Sequence, residues 1–362
     1  MAKQRSAGQM RVAILPRICR CIGLLTALLA LPASAAEPTL KLQIVGGLAG
    51  VTQFTRLEQP FWQTEIAELS QGRIGATIVP LDSASLRGQE MLQLVRLGVV
   101  PFGTVLLSVA AGEEPEFNAI DLPVLNPDMA MLRRSVSAFR ENLRRILRER
   151  YDIELLAIYT YPAQVLFCAK PFGGLDDLAD RTVRTSSVSQ SELLKALGAM
   201  PVVIPFAETV AALRSGVADC AVTGTLSGYE IGLPAVTTHV HAMAINWGVS
   251  FFGANAAAWE AVPPELREII RTGVADLERR IWQRAEADTE RGLACNSGAL
   301  ACGGSSARPM AVVPTSAADT ARRSRLLQDI VLPGWIERCG DACMAAWNAY
   351  LAPVHAIEVP TP

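Results

Sequence analysis

Two arginines three residues apart, Arg181 and Arg184 in DRTVRT (Asp180–Thr185), are the side chains of this chain best placed to hold an anion. Ser186 and Ser187 follow, and then an apolar-periodic segment, so a helix begins just behind them. A guanidinium beside unpaired backbone N–H groups at a helix start is a good carboxylate receptor. The competing reading is a solvated surface arginine, which residue type alone favours. Other constellations are thinner. His239 and His241, in HVH, share one strand face and could ligate a metal, but nothing nearby completes a set, and His355 lies in the tail. There is no G-x-S-x-G elbow, phosphate loop or dinucleotide fingerprint, and no pair of carboxylates stands out. No cofactor and no metal are implied. Trp247, Phe251 and Phe252 form an aromatic cluster for which core packing is the simpler account.

The elements that carry these residues follow from apolar periodicity. Strands are expected at Leu40–Gly47, Ile74–Pro80 and Phe102–Ser108, with helices over Phe54–Leu69 and Arg87–Leu97 between them. The same alternation returns later. Strands are expected at Glu154–Tyr159, Val165–Lys170, Arg181–Thr185, Pro201–Phe206 and Val217–Gly224. Ser189 and Glu192 read as a capping box opening the helix that ends at Gly198, and a short helix spans Glu208–Arg214. Two α/β units of similar plan imply two lobes with mostly parallel sheets. A helix from Glu265 to Arg291, about 40 Å long at 1.5 Å per residue, is longer than one small lobe needs and is expected to lie across both. The stretch Leu293–Met310 reads as a loop, and two further helices span Asp319–Ile330 and Gly334–Leu351.

In open parallel sheets ligands bind beyond the carboxyl ends of the strands. That rule places Arg184, Thr223, the pair Gly46 and Gly47, and Ser108 near a binding site. It places Arg181 at the opposite end of the sheet, as a solvated strand start.

Composition limits the classes of partner. The 362 residues carry a net charge of −2, which gives no basis for a nucleic-acid partner. Lys3, Arg5, Arg11, Arg17 and Arg20 precede the apolar run Ile22–Ala30, and Ala33-Ser34-Ala35 supplies small residues for cleavage. Residues 1–36 therefore read as an export signal, too short in its apolar part for a membrane span. Export permits disulfides. Cys295, Cys302, Cys339 and Cys343 are expected to pair, in any of three connectivities, rather than to bind zinc. Cys168 and Cys220, in apolar strands, are expected as buried thiols.

The stretch Gly174–Gly224 resembles the periplasmic solute-binding proteins of TRAP transporters, the DctP-type family. The family's strand pattern matches Asp177-Leu178 through Arg184, its LGA-x-P-V matches Leu197–Val202, and its P-x-x-E to aspartate segment matches Pro205–Asp219. Glu90–Gly98, Asp121-Leu122-Pro123 and the long helix after Pro263 fit as well. The resemblance implies a two-lobed α/β periplasmic-binding-protein fold with mixed, mostly parallel sheets, a ligand cleft between lobes and a long spanning helix. Lobe I is expected to comprise 37–160 with about 248–285, and lobe II 161–247 with about 286–362. Function follows as an expectation: a non-enzymatic periplasmic protein that captures a small organic acid and delivers it to the small and large permease subunits. In the family an arginine at the position of Arg184 pairs with the ligand carboxylate. Thr223, Gln164 and Trp247 are expected to line the cleft, with Glu208 in or just behind its wall. The chain departs from the pattern where Cys220 stands for the usual glycine, Thr223 for a frequent amide, and Gln164 near a second arginine that many members carry. An acid with a single carboxylate fits those departures. An exported hydrolase or isomerase, and a solute-sensing module, are the alternative functions.

Overall fold

The computed structural model describes residues 37–82, 86–299, 302 and 308–360. The export signal expected at residues 1–36 lies outside them. Among the described residues eleven strands run in the order β1 (Leu40–Val45), β2 (Ile74–Val79), β3 (Phe102–Leu106), β4 (Ile153–Tyr159), β5 (Gln164–Cys168), β6 (Thr182–Thr185), β7 (Met200–Val203), β8 (Cys220–Gly224), β9 (His239–His241), β10 (Ser250–Asn255) and β11 (Ala311–Val313). They form two mixed sheets, ordered β2-β1-β3-β10-β4 and β11-β9-β5-β8-β6-β7. β1 is parallel to β2 and β3, and β6 is parallel to β7 and β8. β10 and β5 run antiparallel to both of their neighbours. The expected parallel character therefore holds around β1 and β6, the strands that feed the two α/β repeats.

Helix Pro264–Ser297 crosses both sheets. Its first half presents Leu266, Ile270, Val274, Leu277 and Ile281 to one apolar core, with Phe61 and Trp62, and Trp282 donates its indole N–H to Ile158 O of β4 at 2.8 Å. Its second half meets helix Thr225–Glu230, which follows β8. There Asn296 Nδ2 donates to Thr225 O at 2.8 Å. Gly292 is required at this crossing, because a Cβ on it would stand 2.2 Å from Leu226 N. The helix runs into the segment expected to be a loop before Gly298, at φ +74°, stops it. Disulfide Cys295–Cys302 and the two bonds of Asn296 tie down that extra turn.

Two expectations fail at β6 and behind it. Ser187, not Ser189, caps helix Val188–Ala196, accepting from Gln190 N. Ser189 is buried and accepts a bond from Asn118, while Glu192 pairs with Arg338. Arg181 is half-buried rather than solvated, donating to Pro171 O at 2.6 Å and stacking over Phe172. The disulfide reading also changes. Cys168 and Cys220 are register partners on the antiparallel pair β5 and β8 and form a disulfide across it. The remaining four pair as Cys295–Cys302 and Cys339–Cys343.

The chain passes between sheets at residues 160–163 and 242–249. These crossings bond to each other, through Gln164 N to Asn246 O at 2.8 Å and Tyr161 N to Trp247 O at 3.2 Å. Asp121 fixes them. Its buried carboxylate accepts from the backbone N–H of Trp247 at 2.8 Å, Gly248 at 2.7 Å and Val249 at 3.1 Å, and from Asn246 Nδ2 at 3.3 Å. Burial lifts its pKa to about 6, although all four donors act to lower it.

Two outcomes follow. Replacing Cys168 and Cys220 together by alanine, which opens a 52-residue covalent loop, lowers the unfolding free energy by about 2–4 kcal/mol in urea titrations. Asp121→Ala, which leaves three buried N–H groups unpaired, costs about 2–4 kcal/mol in the same titration, and a loss under about 0.5 kcal/mol would contradict the role given to it.

Candidate functional site

The strand ends of the two sheets face one cavity of about 740 Å³. β5 brings Gln164 to it, β6 brings Arg184 and β8 brings Thr223. The turn Phe206–Glu208 contributes Glu208. The first sheet contributes Leu48, Leu81, Asp82 and Ser108 from the segments after β1, β2 and β3. Four of the five side chains expected at the site thus line one cavity. Trp247 does not. It is 3% exposed, and its indole N–H donates to Asn126 O at 3.0 Å. Its chain direction is set by Asp121, which turns residues 246–249 toward the core and takes the ring with them.

Arg184 is 3% exposed, so the surface-arginine alternative fails. The reason is positional: β6 is flanked by β7 and β8, and the side chain projects past both. Nε donates to Ile204 O at 2.8 Å and Nη1 to Val222 O at 2.8 Å. These acceptors fix the guanidinium plane but carry no charge. Among the described residues Arg184 has no carboxylate partner. Burial lowers its pKa to about 10, which still leaves it cationic at neutral pH.

The helix start behind it does not act as expected. Ser187 caps Gln190 N, and Gln190 Oε1 accepts from Ser186 N at 2.8 Å. Those two N–H groups are satisfied within the protein. Gln190 does further work, donating through Nε2 to Gln164 Oε1 at 2.9 Å and Asn246 Oδ1 at 2.8 Å. With its carbonyl so engaged, Gln164 keeps its amide nitrogen against Gly248, where a Cβ would stand 2.4 Å from it and where φ is +68°.

The opposite wall is held by residues that carry no motif. Gly47 N donates to the buried Glu58 at 2.7 Å, Leu48 N to Tyr161 Oη at 3.1 Å and Ala49 N to Asp82 Oδ1 at 2.6 Å. A Cβ on Gly47 would stand 2.6 Å from the Tyr161 hydroxyl, which explains the glycine. Glycines 46 and 47 were legible at a strand end; Glu58 and Tyr161 were not, because their roles depend on long-range contacts. Arg87 also lines the cavity, at its exposed side. Neither His239 nor His241 lines it. His241 is fully buried, 3.4 Å from Asp319 Oδ2. Among the described residues no group of three or more His, Cys, Asp or Glu side chains could hold a metal.

Comparison with known proteins agrees with this architecture. A solute-binding protein of Albidiferax ferrireducens is 26% identical over 236 residues, covering 62% of this chain and 67% of that one. An extracytoplasmic solute receptor of Bordetella pertussis that binds pyroglutamic acid superposes with a TM-score of 0.76 at 22% identity, over 86% of this chain and 99% of that one. A TRAP periplasmic solute-binding protein of Rhodoferax ferrireducens with bound malonate gives 0.74 at 22% identity, over 87% and 99%. These structures share the two-lobed fold. The model of the DctP family, bacterial extracellular solute-binding protein family 7, matches residues 49–295. The chain is a member of that family of extracellular solute-binding proteins.

Proposed function

We propose that the protein is the periplasmic receptor of a TRAP transporter, and that it binds a small organic acid in the cavity between its sheets for delivery to the membrane permease subunits. One observation carries the reading: Arg184 is a buried cation on the cavity wall with only neutral carbonyls as partners. A buried charge without a counter-charge is costly, and a carboxylate ligand removes that cost. Thr223 lines the same cavity and is the hydroxyl donor there, since the Ser186 hydroxyl already donates to Gln190 Oε1 at 3.2 Å, and Gln164 lines it as well. Glu208 belongs to the outer wall and is exposed, so its contact with ligand comes as the lobes approach.

The moving bodies are residues 37–160 with about 248–285, and 161–247 with about 286–362. Thr52 N donates to Glu230 at 3.1 Å between them. Relatives whose solved forms hold pyroglutamic acid or malonate support a small acid as the class of cargo. Binding without turnover is favoured over hydrolysis, because the matching family is one of solute-binding proteins. No helix among the described residues is long and apolar enough to cross a membrane.

The test is calorimetry with the acid that co-purifies with the protein, identified by native mass spectrometry. Truncating one partner of a buried charge pair costs about 2–5 kcal/mol. Arg184→Gln therefore weakens binding roughly 30-fold to several thousandfold. A loss below about threefold in a variant that stays folded by circular dichroism contradicts the assignment.

A further inference from the structure

We infer that the acid is an amphiphilic monocarboxylate, with an aromatic or branched aliphatic body, and that Phe206 selects it. This rests on the carboxylate reading above and adds the rest of the ligand to it.

The first observation is apolar surface with no other use. Val109, Val203 and Phe206 line the cavity, yet none belongs to either apolar core. Val203, at the end of edge strand β7, is 51% exposed. Phe206 is half-buried on the short turn that follows, and takes part in none of the ring pairs among the described residues. Val109 comes from the other sheet, as do Leu48 and Leu106. Apolar side chains therefore approach from both lobes, and closing over a polar ligand would leave that surface against water or unpaired polar groups.

The second observation is charge. Arg184 spends Nε and one Nη1 hydrogen on carbonyls, so it presents one fork, enough for one carboxylate. The remaining charged groups on the wall are Arg87, Asp82 and Glu208. Two acids thus face the single remaining arginine, which is exposed at the rim. A second ligand carboxylate would meet more negative than positive charge beyond Arg184.

The third is size. About 740 Å³ lies within the range that holds ligands well beyond the smallest diacids. Each ~60 Å² of apolar ligand surface removed from water is worth about tenfold in affinity.

The experiment is calorimetry on the full mature chain with four probes: phenylacetate, 4-methylpentanoate, malonate and succinate. The expected result is that phenylacetate or 4-methylpentanoate binds at least about tenfold more tightly than either diacid. Phe206→Ala should lower the ratio of phenylacetate to malonate affinity at least about tenfold, and Phe206→Leu should restore part of it. The inference is overturned if the diacids bind as tightly as the apolar acids, if neither apolar acid binds, or if the ratio is unchanged in Phe206→Ala. Diacid binding that is lost in Arg184→Gln would leave the receptor reading standing and remove only this one; Arg184-independent binding of every probe would remove both.

Discussion

Arg184 is a cation taken out of water and left with two neutral acceptors. The sheet explains how that is possible. β6 lies between β7 and β8, so the carbonyls of Ile204 and Val222 come to hand on both sides and hold the guanidinium plane without neutralising it. The fork that remains points at the cavity. Everything else around the site positions this group or supplies its surroundings: Gln190 ties Ser186 to Gln164, disulfide Cys168–Cys220 staples the strands that carry Gln164 and Thr223, and Glu58 with Tyr161 holds the opposing loop. In the function proposed above, a ligand carboxylate supplies the missing counter-charge.

The function proposed above asks for parts of the site on both sheets and a connection between them that can flex. The two crossings at 160–163 and 242–249 bond to each other, and Asp121 gathers three consecutive N–H groups of the second. The two crossings thus form one short, well-bonded strip. Helix Pro264–Ser297 spans the two sheets, bonding through Trp282 to Ile158 of β4 and through Asn296 to Thr225 behind β8. The Thr52–Glu230 contact lies where the lobes meet and adds little stability of its own beside the partly buried carboxylate it satisfies.

The sequence made the frame and the central residue legible. Strand direction put Arg184 at a carboxyl end and Arg181 at the other, and the structure keeps that separation. What strand direction cannot reveal is the partner of each group. Arg181 finds the carbonyl of Pro171, Gln190 reaches back to take the N–H of Ser186, and Cys168 meets Cys220 only because β5 and β8 pair antiparallel in that register. Trp247 was misplaced for the same reason, since Asp121, over a hundred residues away in sequence, sets its direction. Helix Met129–Tyr151 has no counterpart among the sequence expectations, although its buried stripe of Leu132, Val136, Phe139 and Leu143 has the helical period and Asp128 caps it.

The central claim is that the buried guanidinium of Arg184 waits for a ligand carboxylate. A crystal structure of the protein purified with its own acid addresses it most directly. The account predicts a carboxylate oxygen about 2.7–2.9 Å from an Arg184 Nη atom, with the Nε bond to Ile204 O intact. A ligand seated in the cavity with its carboxylate on Arg87 or on backbone N–H groups, and none on Arg184, would contradict it.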